Sequence, residues 1–238
     1  MLKLLRELVS TDDQPEEVDG SLDGILITGL AGLVAGTRVA TERGWRAVES
    51  LRVGDRVLSF DRGFQPLVDV QRDRVTMAER RRPGAQRPVR VPPGALGNTM
   101  PVWLMPDQGL LLESDTAQQI LGEAFVVVPA RALSGFARIA EAEAGPELDV
   151  VTLVFPRDEA VYVEGGLLAV CPRPQTPLED SDAATEADGG YFAVQTLQTA
   201  RYLVRAQLAG EAPQALGYAP EDLPLLIEAA PQPRRLAG

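Results

Sequence analysis

Residues 32–61 read GLVAGTRVATERGWRAVESLRVGDRVLSFD. Thr37, Val39 and Thr41 fall on one side of an alternating run and Arg38 and Ala40 on the other, the period of a strand. Glu42-Arg43-Gly44 makes a turn, because Gly44 takes a positive φ without the steric cost that other residues meet. Trp45 to Leu51 is the returning segment. Gly54-Asp55 marks a second turn, after which Arg56 to Phe60 alternate again. Short strands joined by tight turns are therefore expected here.

The pattern continues outward. Phe64 to Met77 predicts one long strand or two. Val102 to Met105 and Leu110 to Leu112 are strand-like about a turn at Pro106 to Gly109, which Asp107 and Gln108 are expected to close. The other reading keeps Gln108 as a hydrogen-bond donor inside a cleft. Asp115 to Gly122 predicts a short helix capped by Ser114 or Asp115, followed by a strand at Phe125 to Pro129 and a helical turn over Ala130 to Gly135. Asp149 to Phe155 and Ala160 to Glu164 read as a hairpin about Pro156 to Glu159, and Leu167 to Val170 as the next strand. Ile25 to Leu30 suits a buried strand. Met1 to Val9 is a helix candidate too short to stand alone. Tyr191 to Leu208 predicts a longer one, with Ala193, Leu197, Ala200, Val204 and Leu208 on one stripe and Gly210 at its end.

The 238 residues carry a net charge of −11, and it is not evenly spread. Residues 10–24 hold six acids and no base, and residues 176–190 hold five acids and no base. These two stretches account for the whole net charge and read as solvated linkers. They divide the chain into a helix with an acidic linker (1–24), a β domain (25–175), a second acidic linker (176–190) and a C-terminal helical appendage (191–238). The acids lack the D-x-D-x-D-G spacing of a calcium loop, so no metal site is expected, and no cofactor pattern is present. Six arginines between Arg74 and Arg90 face the single acid Glu79. Without interleaved aromatics this run reads as a solvated loop that pairs with the acidic linkers rather than as a nucleic-acid surface. No stretch approaches the roughly 20 apolar residues of a membrane span, and the N-terminus does not read as a signal peptide, so a cytoplasmic location is expected. There is no His, which removes the commonest general base. The one Cys, Cys171, ends a strand and reads as a small buried hydrophobe.

The pattern G-T-x-V-x-T, a Gly turn, then V-E-x-L-x-x-G-D-x-V-L-S-x-D resembles the opening block of Hint domains, the fold of inteins and of the hedgehog autoprocessing region. With Pro92-Pro93-Gly94-Ala95-Leu96 it is most similar to bacterial Hint-like proteins, over residues 32–173. The resemblance implies an all-β, Hint-like horseshoe of short strands, here with small helical appendages at the N- and C-termini. It also implies an N–S or N–O acyl shift, in which a Cys or Ser attacks the preceding carbonyl and a T-x-x-H element polarises that peptide bond.

This sequence departs from that chemistry at its two essential places. The nucleophile position is Gly32. The T-x-x-H position is Met105-Pro106-Asp107-Gln108, so Met replaces Thr and Gln replaces His. The nearest hydroxyls, Thr28 and Thr37, lie several residues away and would need a different scissile bond. The final residues PQPRRLAG offer neither the Asn nor the nucleophile that splicing requires. Gly32, Met105 and Gln108 are therefore expected to be vestigial and close in space, with Leu33, Met105 and Gln108 lining a groove through which Ile25 to Leu30 threads. A catalytically degenerate module that binds a protein partner or acts as a scaffold is the expectation. The alternatives are a self-processing domain with a relocated nucleophile and an assembly component docked through its terminal helices.

Overall fold

The computed structural model describes residues 31–76, 87–143, 145–171, 173 and 194–210. The expected Met1 to Val9 helix, the Ile25 to Leu30 strand and both acidic linkers lie outside the described residues. The strands are β1 (Leu33–Val34), β2 (Arg38–Thr41), β3 (Gly44–Ala47), β4 (Arg56–Ser59), β5 (Gly63–Pro66), β6 (Asp69–Thr76) and β7 (Val89–Val91). They continue with β8 (Val102–Leu104), β9 (Gly109–Glu113), β10 (Phe125–Pro129), β11 (Ala140–Glu141), β12 (Glu147–Val154), β13 (Glu159–Val163) and β14 (Leu167–Cys171). The α-helices are α1 (Asp115–Leu121) and α2 (Leu197–Gly210).

The strands form two sheets. One has the order β11-β7-β8-β1-β12-β6, and the other β10-β9-β14-β13-β2-β4-β5 with β3 added on β2. The opening stretch folds as its turns dictate, with Thr41 paired to Gly44 across the β2–β3 hairpin and Gly44 at φ +87°. Its alternation also holds, but both sides are covered: Val39 packs in the main core and Ala40 in a second cluster with Leu58, Phe64 and Tyr162. Phe64 to Met77 resolves into two strands, β5 and β6, as far as it is described.

One expectation is overturned. The segments on either side of Pro156 do not pair as a hairpin. β12 pairs with β6 and β1 in one sheet, whereas β13 pairs with β14, β2 and β4 in the other. The hairpin is β13–β14, turned by Gly165 and Gly166 at φ +80° and +78°. Alternation specifies that a segment is a strand and leaves its partner open. Another of the crossings between sheets runs from β8 to β9, over residues 105–108.

The helices follow their caps. Ser114 caps α1 through Ala117 N–H, and Gly122 at φ +82° closes it. The C-terminal helix begins at Leu197, later than expected, because Val194 bridges Val127 beside β10 and Gln195 N–H donates to the Val127 carbonyl. It packs on the β domain, with Ala200, Leu203 and Val204 inside the main core. Of the arginine run, Arg74 reaches Asp149 at 2.9 Å and Arg87 reaches Glu143 at 4.0 Å.

Candidate functional site

The β8-to-β9 crossing and the entry to β1 meet. Leu33 pairs with Leu104, so Gly32 stands beside Met105, whose N–H points at the Gly32 carbonyl at 3.4 Å. The Gln108 side chain is 4% exposed and closes this centre. Its Oε1 accepts from Gly32 N–H at 2.9 Å, and its Nε2 donates to the carbonyls of Val170 and Gly109, each at 2.9 Å. An N–H needs an oxygen and two carbonyls need a donor, so the amide can sit only one way round. Gln108 thus ties β1 of one sheet to β14 of the other. Both readings of this turn hold in part. The turn is closed by backbone, Gln108 N–H to the Met105 carbonyl, while the Gln108 side chain is a buried staple and Asp107 pairs with Arg131 at 3.2 Å.

The position where the resemblance places a nucleophile has no room for one. Gly32 has φ +124°, a conformation L side chains rarely adopt, and a Cβ there would lie 2.5 Å from Val150 Cγ1. Val150 is a β-branched residue buried on β12 among Val34, Met105 and Leu148, so it has little freedom to yield. Met105 is 0% exposed and supplies a thioether where the resemblance implies a hydroxyl. Leu33 is buried as well, while the Ile25 to Leu30 segment expected to thread this groove lies outside the described residues.

Two described side chains that carry a nucleophilic atom, Thr37 and Cys171, are both buried. Thr37 is buried, with its hydroxyl at the limit of hydrogen bonding, 3.5 Å from the Trp103 carbonyl. The Cys171 thiol is buried and pushed up to about 12 by that burial and by the charge of Glu159, so it is no thiolate at neutral pH. A cavity of about 520 Å³ lies beyond the centre, lined in part by Thr37, Arg38, Thr99, Trp103 and Glu164.

Two buried glutamates escaped the sequence reading. Glu159 accepts a hydrogen bond from the Ser59 hydroxyl, and Arg62 lies 3.7 Å away. Burial nevertheless pushes its carboxyl above the ordinary value. Glu164 is also pushed up by burial, but Arg38 at 2.7 Å and the hydroxyl and N–H of Thr99 more than offset this, and its carboxyl lies below the ordinary value. The available signal was an acid at each end of the apolar run Ala160 to Val163. Asn98 was missed too. It binds the carbonyls of Pro92 and Met100 and holds the Pro92–Leu96 segment against Gly165. Among the described residues, no three His, Cys, Asp or Glu side chains gather as metal ligands, and no helix is long and apolar enough to cross a membrane.

Two sheets joined by strand crossings, with the first described strand and the β8–β9 crossing meeting at a buried centre, make this a mostly β domain. The Hint domain family matches residues 31–168, and the chain belongs to that family. Among solved structures it is similar to a splice-inactive variant of the AceL NrdHF class 3 split intein, with 14% identity, a TM-score of 0.41 and coverage of 61% of this chain and 99% of that one. It is similar also to the bacterial intein-like domain from Clostridium thermocellum, with 15% identity, a TM-score of 0.37 and coverage of 60% and 99%. No protein of curated function matches the chain in sequence.

Proposed function

We propose that this chain is a catalytically degenerate Hint domain that works as a protein-binding or scaffold module. The observation that carries the reading is the geometry at Gly32. An acyl shift needs a side-chain nucleophile next to the scissile carbonyl and a group that polarises the peptide bond. Here the φ of +124° and the Val150 methyl exclude the first. The second is replaced by Gln108, whose amide is consumed in holding backbone. With Met105 apolar and the Cys171 thiol neutral, the centre binds its own chain and has nothing to transfer an acyl group to. A β scaffold that has lost its reacting groups acts through its surface, and the partner is a protein in this reading. The test is the intact mass of the purified full chain over several days, with and without dithiothreitol or hydroxylamine. An unchanged mass is expected. Fragments meeting near residue 31 would overturn the reading, and fragments meeting elsewhere would establish a relocated nucleophile.

A further inference from the structure

Five of the eight large apolar side chains left exposed among the described residues lie on α1, α2 and the strand and lead-in beside them. These elements pack on one another at one corner of the molecule. Ala117 is the buried residue of α1, and Ile120 and Leu121, three and four positions on, share its face. They point toward the packed side of the helix, yet they are 55% and 41% exposed. Tyr202, on the outer side of α2, is 57% exposed. Large apolar side chains left exposed together at one corner are what an interaction site presents.

The charges around the patch say what covers it. α2 carries Arg201 and Arg205 and no acid, whereas α1 and its flanks carry Glu113, Asp115 and Glu123 and no base. All five are exposed, and none has an ion-pair partner among the described residues. A two-fold interface must be self-complementary, because each patch meets its own copy. An apolar centre with a basic helix on one side and an acidic helix on the other meets that demand: α2 of each copy lies against α1 of its partner, and both rims are matched at once.

We infer that this corner is a self-association surface, and that its occupant is a second copy of this chain. The inference goes beyond the reading of the Gly32 centre and does not depend on it. A chain that cleaved itself would associate by the same corner, and intact mass and sedimentation report on the two separately.

Sedimentation velocity on the full chain across a concentration series tests it, with two charge-reversed variants, Arg201→Glu/Arg205→Glu and Glu113→Lys/Glu123→Lys. The wild type is expected to dimerise. Each variant alone places like charges on both rims, and its dimer should weaken by at least about tenfold. Mixed in equal amounts, the two variants restore opposite charges on both rims and should dimerise about as well as wild type. Circular dichroism checks that each variant is folded. If either is not, concentration-dependent amide protection of residues 118–125 and 198–206 in the wild type decides the matter. A chain that stays monomeric, a dimer untouched by both reversals, a mixture that fails to recover, or protection that does not change with concentration would each overturn the inference.

Discussion

The centre around Gly32 and Gln108 and the strip from Glu159 to Glu164 are both buried and both polar, yet they are built from different materials. The first is neutral: one amide answers one N–H and two carbonyls. The second keeps two acids, each anchored by a hydroxyl and facing an arginine. Buried charge is retained where it ties strand to strand, as Glu159 ties β13 to β4 through Ser59. It is absent where the family resemblance implies reacting groups. A buried ionisable group marks a functional site only when its partners leave it something to do, and here both acids are occupied with the fold.

The largest effect is expected at Gly32. Gly32→Cys forces a side chain into φ +124° and against Val150. Backbone strain and overpacking together should cost about 3–5 kcal/mol in urea unfolding. Adding Val150→Ala should recover the overpacking part and not the strain, a coupling that a double-mutant cycle measures. Neither variant should cleave. Efficient cleavage by Gly32→Cys alone would show that the neutral centre still activates its peptide bond, and the contrast between the two regions would collapse.

The next effect is at Gln108. Gln108→Ala strands the Gly32 N–H and the Val170 and Gly109 carbonyls and leaves a hole between the sheets. A loss of about 2–4 kcal/mol is expected. A change under about 0.5 kcal/mol, the range of a surface substitution, would mean that the amide is a bystander.

The smallest effects separate the two glutamates by pH. The folded pKa of Glu159 is raised, so the folded state holds its proton more tightly than the unfolded chain. That contribution is complete below the unfolded value of about 4.3 and is lost as pH rises through the folded value. The folded pKa of Glu164 is lowered, so its contribution is present above about 4.3 and is lost as pH falls through the folded value. Stability measured against pH should therefore respond oppositely in Glu159→Gln, which removes a loss on the alkaline side, and Glu164→Gln, which removes a loss on the acid side. Parallel curves for the two variants would show that the acids are not distinguished by their partners.

Much of this molecule is legible along the chain. Strand positions, the turns at Gly44 and Gly54, the Ser114 cap and the Gly122 stop follow from local rules of period, φ and capping, which a few neighbouring residues satisfy by themselves. The absence of Cys at position 32 and of His throughout is equally plain in the sequence. What only the tertiary structure decided is which groups meet. The Gly32–Gln108, Gln108–Val170 and Ser59–Glu159 contacts join residues 76, 62 and 100 positions apart. The same distance in sequence hid the separation of β12 from β13, because alternation makes a strand without choosing its partner. The Val150 methyl that closes the space beside Gly32 is likewise supplied by a strand 118 residues away in numbering, brought there by the Val34–Val150 pairing. Local chemistry sets the conformation of each segment, whereas contact between distant segments depends on how all of their faces are buried together.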